Sequence, residues 1–306
     1  MASHTTVLLK EAVDALVVKP DGRYVDCTYG RGGHSAMIAE RISASGRLMV
    51  IDRDLEAIAD ARRQFQHDDR IVIVHGTFHE LSRFAAENDM LPLDGVLMDL
   101  GVSSPQLDDA QRGFSFMKDG PLDMRMNQTD ETSARDWVAT ADEREITDVL
   151  RTYGEEKFAR RIARRIVETR QESPIETTHQ LVSVIEAAIP RVDPHKHPAT
   201  RSFQAIRIKV NRELDSLQQC LDDVVSLLTS GGRLVVISFH SLEDRIVKRF
   251  IRDKQRGENL PHKLPVRDDE IKRELKSLGR AVKPSEQERN DNPRARSSIM
   301  RVAERL

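Results

Sequence analysis

The pattern that most restricts the fold is an alternation of short apolar runs with helical segments over the first hundred residues. Arg23 to Thr28, Arg47 to Asp52, Arg70 to His75 and Gly95 to Leu100 read as strands, and Ser35 to Ile42, Leu55 to Phe65 and Glu80 to Glu87 read as helices between them. Strands that are apolar on both faces and separated by helices belong to a parallel sheet covered on both sides. The expected class is therefore α/β, doubly wound. In such sheets ligands bind beyond the carboxyl ends of the strands.

After Leu107 the pattern changes to helical periodicity and turns without a convincing buried strand. Helices are expected at Ala134 to Ala139, Glu143 to Tyr153, Glu155 to Arg170 and Thr178 to Ile189, with Pro190, Pro194 and Pro198 interrupting afterwards. Ser202 to Leu228 reads as one long helix, because Phe203, Ile206, Val210, Leu214, Leu217 and Leu221 keep three- and four-residue spacing. Gly231-Gly232 would end it, followed by a strand from Arg233 to Phe239 and a helix from Leu242 to Ile251. Arg256 to Asn292 is polar and reads as a long, weakly structured loop, and Ser298 to Val302 as an edge strand. The organisation expected is a sheet domain begun by residues 1–108, an inserted helical domain at 109–211 for substrate recognition, and completion of the sheet by 212–306.

Composition limits the function classes. A chain of 306 residues with 39% hydrophobic content can bury a core, and it contains no run of eighteen apolar residues. Met1 to Lys10 lacks the basic start and apolar run of a signal peptide, so a cytoplasmic protein is expected. Cys27 and Cys220 have no CxxC spacing, and His195 and His197 stand beside prolines without cysteine, so neither a disulfide framework nor a metal site is expected. The net charge of -2 hides an asymmetry: Ser241 to Leu306 holds 18 Lys and Arg against 12 Asp and Glu. Any surface for phosphates must be local.

The segment Asp26-Cys27-Thr28-Tyr29-Gly30-Arg31-Gly32-Gly33-His34 follows the first strand and precedes a helix. Its glycines let the backbone approach a ligand closely, but Gly30-x-Gly32-Gly33 lacks the GxGxxG spacing of dinucleotide sites. The acidic Asp26 at the strand end suits a cationic amino-acid group better than a phosphate. Asp52, 22 positions beyond Gly30, can accept both ribose hydroxyls of an adenosine. That device serves S-adenosylmethionine and NAD alike, so an NAD-type oxidoreductase stays open at this point. Asp54, rather than Asp52, is the natural N-cap for the helix at Leu55. Phe78 either stacks on an adenine or packs in the core.

Further motifs narrow the choice. His4-Thr5-Thr6-Val7-Leu8-Leu9, the Asp26 to Ser35 loop, Ile51-Asp52-Arg53-Asp54 and Asp99 through Leu107 come first. Arg112-Gly113-Phe114-Ser115-Phe116, Asp119 through Arg125 and Tyr153-Gly154-Glu155-Glu156 follow. Pro198-Ala199-Thr200-Arg201, Phe203-Gln204-Ala205, Arg207, Val210-Asn211, Ser238 through Asp244 and Asn292 through Arg296 complete the set. Together they resemble the ribosomal RNA small-subunit methyltransferase H family, also called MraW. The resemblance implies a class I, Rossmann-like S-adenosylmethionine-dependent methyltransferase sheet with an inserted all-helical domain. It also implies methylation of the N4 atom of a cytidine in the decoding region of 16S rRNA, within a small ribosomal subunit or late assembly particle. By position, its donor contacts fall on Gly32, Gly33, His34, Asp52, Phe78, Asp99 and Gln106. Ser298 stands where similar proteins carry alanine.

The amine of cytosine delocalises its lone pair into the ring, so it reacts slowly unless acceptors reshape it. Asp99 opens the loop after the fourth strand, but Leu100-Gly101-Val102 supplies no aromatic clamp. Whether Asp99 faces the amine or the donor is open, and the family pattern favours the donor. His240, just past a strand end, and Asp119 and Asp123, in a turn with Arg125, are further catalytic candidates. For RNA, Arg160, Arg161, Arg164 and Arg165 form a stripe opposite Phe158, Ile162 and Ile166, unless Glu155 and Glu156 neutralise it. Arg294 and Arg296 are the second candidates. Aromatics at 4% exclude an extended base-stacking platform. A non-catalytic RNA-binding assembly factor is the competing non-enzymatic reading, opposed by the intact donor loop.

Overall fold

The computed structural model describes residues 6–189, 197–257 and 272–306. His4, Thr5, His195, Pro190 and Pro194 lie outside the described residues, as does much of the polar stretch after Arg256. The described chain divides into two compact units, one formed by Met1–Gly101 with Leu214–Leu306 and the other by Val102–Glu213.

The first unit opens with a helix that the sequence pattern does not announce, α1 (Leu9–Leu16), whose eight residues bury Ala12, Val13 and Leu16. Three βα steps and a fourth strand follow: β1 (Arg23–Asp26), α2 (Gly33–Arg41), β2 (Arg47–Asp52), α3 (Leu55–Gln64), β3 (Ile71–His75), α4 (Leu81–Glu87) and β4 (Leu93–Asp99). Asp54 caps α3, accepting from the Glu56 N–H at 3.0 Å.

The second unit is helical: α5 (Ser104–Asp108), α6 (Ala134–Thr140), α7 (Glu143–Gly154), α8 (Ala159–Glu172), α9 (Thr178–Ala188) and α10 (Thr200–Asn211). Trp137, Ile146, Leu150, Ile162, Ile166, Leu181, Ile185, Phe203 and Ile206 form its core. Each large side chain fully withdrawn from water contributes about 1.5–3 kcal/mol.

The long helix expected from Ser202 to Leu228 is two helices, α10 and α11 (Glu213–Leu227), broken at Arg212, whose φ of 50° is left-handed. The apolar spacing runs through the break and conceals it. Its cause is polar: the buried Asn211 side chain donates to the Met124 carbonyl at 2.7 Å and accepts from the Met126 N–H at 2.8 Å. Arg207 clasps Glu213 across the break through two hydrogen bonds of 2.8 and 2.9 Å.

The chain then adds β5 (Leu228–Ser238), α12 (Ser241–Arg256), β6 (Leu275–Ser277), α13 (Glu286–Asp291) and β7 (Ile299–Arg305). Gly231-Gly232 lies inside β5, where the register against β4 shifts between Leu93 and Gly95, so the glycines accommodate a bulge and do not end a helix. The sheet order is β3-β2-β1-β4-β5-β7-β6. β1 to β5 are parallel, and β7 runs antiparallel to both β5 and β6. The last strand is therefore interior, and the edge is β6. That three-residue strand and α13 lie in the segment expected to be a loop, where polar composition masks them.

Successive strand residues alternate between two cores, as the pleat requires. Val25, Met49, Ile51, Val96, Met98, Leu234 and Val236 meet Leu221 and Val224 of α11 and Val247 of α12. Tyr24, Leu48, Val50, Leu97, Val235 and Ile237 meet α1, α2 and α3 on the other face. Cys27 and Cys220 are free, buried thiols in the first of these cores, brought together despite their separation in sequence.

Candidate active site

Register places three carboxylates along one edge of the sheet. Asp26 at the end of β1 lies beside Val50 of β2 and Leu97 of β4. Both neighbours run two residues further, to Asp52 and Asp99. At a rise of about 3.3 Å per residue, β1 stops about 6.6 Å short of them. The chain fills this notch, with the Cys27 N–H bonded to the Leu97 carbonyl at 2.9 Å and the Tyr29 N–H to the Ile51 carbonyl at 3.0 Å.

Two glycines then make the turn into α2 possible. Gly32 sits at φ 73° as the N-cap of α2. Gly33 approaches Thr6 so closely that a Cβ would lie 1.8 Å from the Thr6 Oγ1.

The three carboxylates have different surroundings. Asp26 is fully buried, accepting from the Ser35 hydroxyl at 2.6 Å and the Thr28 N–H at 3.1 Å, and burial pushes its pKa up to about 6. The expectation that Asp26 meets a cationic ligand group is corrected, since it is sealed in and braces the loop. Asp52 accepts from the Gly30 N–H at 2.8 Å through one oxygen and from the Asp54 N–H at 2.9 Å through the other. The Arg53 backbone is a further donor to this carboxylate.

Asp99 is fixed through its backbone N–H, which donates to the Thr28 hydroxyl at 2.6 Å. Its Oδ2 lies 3.7 Å from the His34 Nδ1, and its Oδ1 is buried with no partner. Burial, with repulsion from Asp26 and Glu243, raises its pKa well above the carboxylate range. The His34 side chain is only 4% exposed, and burial lowers its pKa to about 4 against the opposing pull of the Val7 backbone. His34 is thus neutral at pH 7 and offers Asp99 no countercharge. Such a notch favours a cation.

The other candidates have local structural partners. Phe78 opens a 3₁₀ turn after β3 and is partly buried against the core of the first unit. In the second unit, buried Gln106 closes a capping box, its Oε1 accepting from the Ser103 N–H at 2.9 Å. Asp119 accepts from the His179 N–H at 3.0 Å at the start of α9, and this bond lowers its pKa. Asp123 holds Arg125 through two side-chain bonds of 2.9 and 2.6 Å.

In the first unit His240 is the N-cap of α12, with Glu243 as the reciprocal member of the box. The buried Glu243 accepts from the Phe239 N–H at 2.8 Å and the His240 N–H at 3.3 Å. Its other oxygen lies 3.2 Å from the His240 Nε2 without the alignment of a hydrogen bond. Glu243, Thr28 and Ser35 are absent from the sequence-based site. The three-residue spacing from His240 to Glu243 was a legible signal, whereas nothing in the sequence ties Ser35 to Asp26.

On α8, Arg160, Arg161, Arg164 and Arg165 are exposed, while Ile162 and Ile166 are buried. The neutralising residue is Glu168, 2.9 Å from Arg164 and 3.8 Å from Arg165. The expected partner Glu156 is buried and accepts from the Phe158 N–H at 2.9 Å. Arg294 and Arg296 are exposed on a 3₁₀ turn, Pro293–Ser297. No helix among the described residues is long and apolar enough to cross a membrane.

The model of the MraW methylase family matches residues 1–306. The ribosomal RNA small subunit methyltransferase H of Thioalkalivibrio sulfidiphilus (strain HL-EbGR7) is 58% identical over 306 residues, covering 99% of this chain and 98% of that protein. Among solved structures, one named as an rRNA methylase from Clostridium thermocellum is 13% identical with a TM-score of 0.47, covering 99% of both chains. An rRNA methylase from Streptococcus thermophilus is 10% identical with a TM-score of 0.43, covering 96% of this chain and 92% of that one. These distant structural likenesses carry no part of the assignment, which rests on the match of sequence along the whole chain. The chain belongs to the MraW methylase family and is an S-adenosylmethionine-dependent methyltransferase with a Rossmann-like sheet.

Proposed function

We propose that this methyltransferase acts in the cytoplasm on 16S rRNA, methylating the N4 amine of a cytidine in the decoding region, on an assembled or nearly assembled small subunit. The observation that carries this reading is the 58% identity, over nearly the full length of both chains, to a protein named as a ribosomal RNA small subunit methyltransferase. The motifs from Asp99 to Arg296 that resemble the same family support the N4 assignment.

The residues at the sheet edge suit the methyl donor. Asp52, at the end of β2, retains acceptor capacity for the ribose of the donor, and the partnerless Asp99 Oδ1 suits the ammonium of the amino-acid part. Bound there, S-adenosylmethionine supplies an electrophilic methyl group on a sulfonium sulfur. The turn at Gly32 and Gly33 and the side chains of His34 and Phe78 complete the donor side in this reading.

The chain's contribution to the chemistry is chiefly positional. Holding the amine in line with the methyl group is worth about 7–11 kcal/mol when the geometry is fixed in advance. No strong base is required, because the methylated amine is acidic until it loses its proton. His240, Asp119 and Asp123 serve as positioning residues, fixing the starts of α12 and α9 and the turn at Arg125. Extrusion of the cytidine from its stack precedes transfer. The exposed arginines of α8, with Arg294 and Arg296, contact RNA phosphates.

The test is incubation with radiolabelled donor and small subunits lacking the modification. Label in the 16S rRNA supports the reading, and donor binding without transfer to rRNA refutes it.

A further inference from the structure

The far side of the sheet holds a basic cleft that none of the motifs above includes. It is bounded by α12 and β6, has a volume of 840 Å³, and is lined by Lys248, Arg252, Arg256, Arg273, Lys276 and Arg301. Ile251 and Leu275, both buried, contribute apolar lining. β6 is four strand spacings from β1, or about 19 Å, so the cleft is separate from the donor loop.

Two of the six lining cations, Arg301 and Arg252, are paired with carboxylates, and the other nearby acids are engaged outside the cleft. Asp244 binds Arg301 at 2.7 and 3.1 Å, and Asp253 binds Arg252 at 2.8 Å. Glu274 serves Lys254 and Arg305, and Glu304 binds Arg233 at 2.8 Å. Lys248, Arg256 and Lys276 are exposed and have no carboxylate within ion-pair distance among the described residues. Lys248, Arg252 and Arg256 follow one another at four-residue intervals, which sets them about 6 Å apart along one face of α12. Lys276 lines the cleft from β6. A row of cations with another from the facing strand matches a linear polyanion better than a single phosphate, and a concave cleft fits a strand better than a flat bilayer.

We propose that this cleft binds the sugar-phosphate backbone of the substrate RNA, at a segment distant from the methylated base. The proposal rests on the rRNA reading above. Contacts made only to phosphates position a protein without specifying sequence, so the cleft raises affinity and fixes orientation while the base is recognised elsewhere.

The test compares the full-length wild type with the triple variant K248Q/R256Q/K276Q, using small subunits lacking the modification and the same 16S rRNA as a transcript. Loss of three phosphate contacts should lower the slope of log affinity against log salt by about 2 to 3. KM for the RNA substrate should rise about tenfold or more at moderate salt, since charge contacts dominate such binding. The kcat at saturating RNA and the donor affinity should stay at wild-type values, which also shows that the variant is folded. An unchanged KM and salt slope, with rRNA methylation intact, would overturn the cleft and leave the rRNA reading standing. A wild type that methylates no rRNA would overturn both. Loss of binding to phosphatidylserine vesicles with RNA affinity unchanged would assign the cleft to a membrane surface and overturn the proposal.

Discussion

Asp99 places one carboxylate oxygen 3.7 Å from the His34 Nδ1 and leaves the other buried without a partner. The imidazole does not compensate the carboxylate, because burial keeps His34 neutral at pH 7. The protein therefore holds a poorly solvated acid at the end of β4.

The consequence for Asp99→Asn is a trade of affinity against stability. Below the ordinary value of 3.8 the carboxyl is protonated in both the folded and unfolded chain and costs nothing. As pH rises above 3.8 the unfolded chain ionises more readily than the folded one, so stability is lost. Thermal melting without donor should show D99N more stable than wild type at pH 7.5, with the difference vanishing near pH 4. Calorimetric titration should show donor affinity about 10- to 100-fold weaker, the usual loss for a hydrogen bond to a charged group.

His34 has the opposite sign. Its pKa is lowered from 6.5 to about 4, so it contributes stability above 6.5 that is lost as pH falls toward 4. His34→Gln should be less acid-sensitive than wild type across that window in denaturant titrations at stepped pH. A variant whose acid limb superimposes on the wild type would place the histidine's charge in solvent.

Gly33→Ala tests the close approach to Thr6. The added methyl would meet the Thr6 hydroxyl at 1.8 Å, and forcing such a contact costs about 1–3 kcal/mol. Urea unfolding should show a loss in that range, with donor affinity reduced as the loop shifts. Thr6→Ala in the same chain should restore part of the stability.

The stripe on α8 should divide by pairing. Glu168 partly neutralises Arg164 and Arg165, whereas Arg160 and Arg161 have no carboxylate partner among the described residues. Salt-dependent binding to 16S rRNA should show R160Q/R161Q losing more affinity and more salt slope than R164Q/R165Q, since each neutralised phosphate contact changes the slope by about 0.7 to 0.9. Equal losses would mean that Glu168 releases its partners on binding.

The first four strands, their helices and the acidic ends at Asp52 and Asp99 were legible because apolar runs and glycines report directly on a buried parallel sheet. The break at Arg212 was not, since the Asn211 side chain that causes it bonds to residues 124–126, far away in sequence, while the apolar spacing continues undisturbed. β6 escaped for a different reason: three residues are too few to show a period, and they are recognisable only through pairing with β7. At the site, sequence position marked Asp26 and Asp99 as equivalent strand ends. Only the register, which recesses Asp26 by two residues, separates the fully buried loop brace from the partly buried acid at Asp99. The caps at His240 and Asp119 show the same limit, because a polar residue beside a strand or turn looks alike whether it serves a helix or a ligand.

The most direct test of the account is nucleoside mass spectrometry of 16S rRNA after reaction with small subunits lacking the modification, comparing wild type with D99N. Wild type should yield N4-methylcytidine at a single decoding-region position, and D99N a strongly reduced amount at limiting donor. Methylation at carbon 5 or at a ribose hydroxyl, or full yield from D99N at limiting donor, would contradict the account.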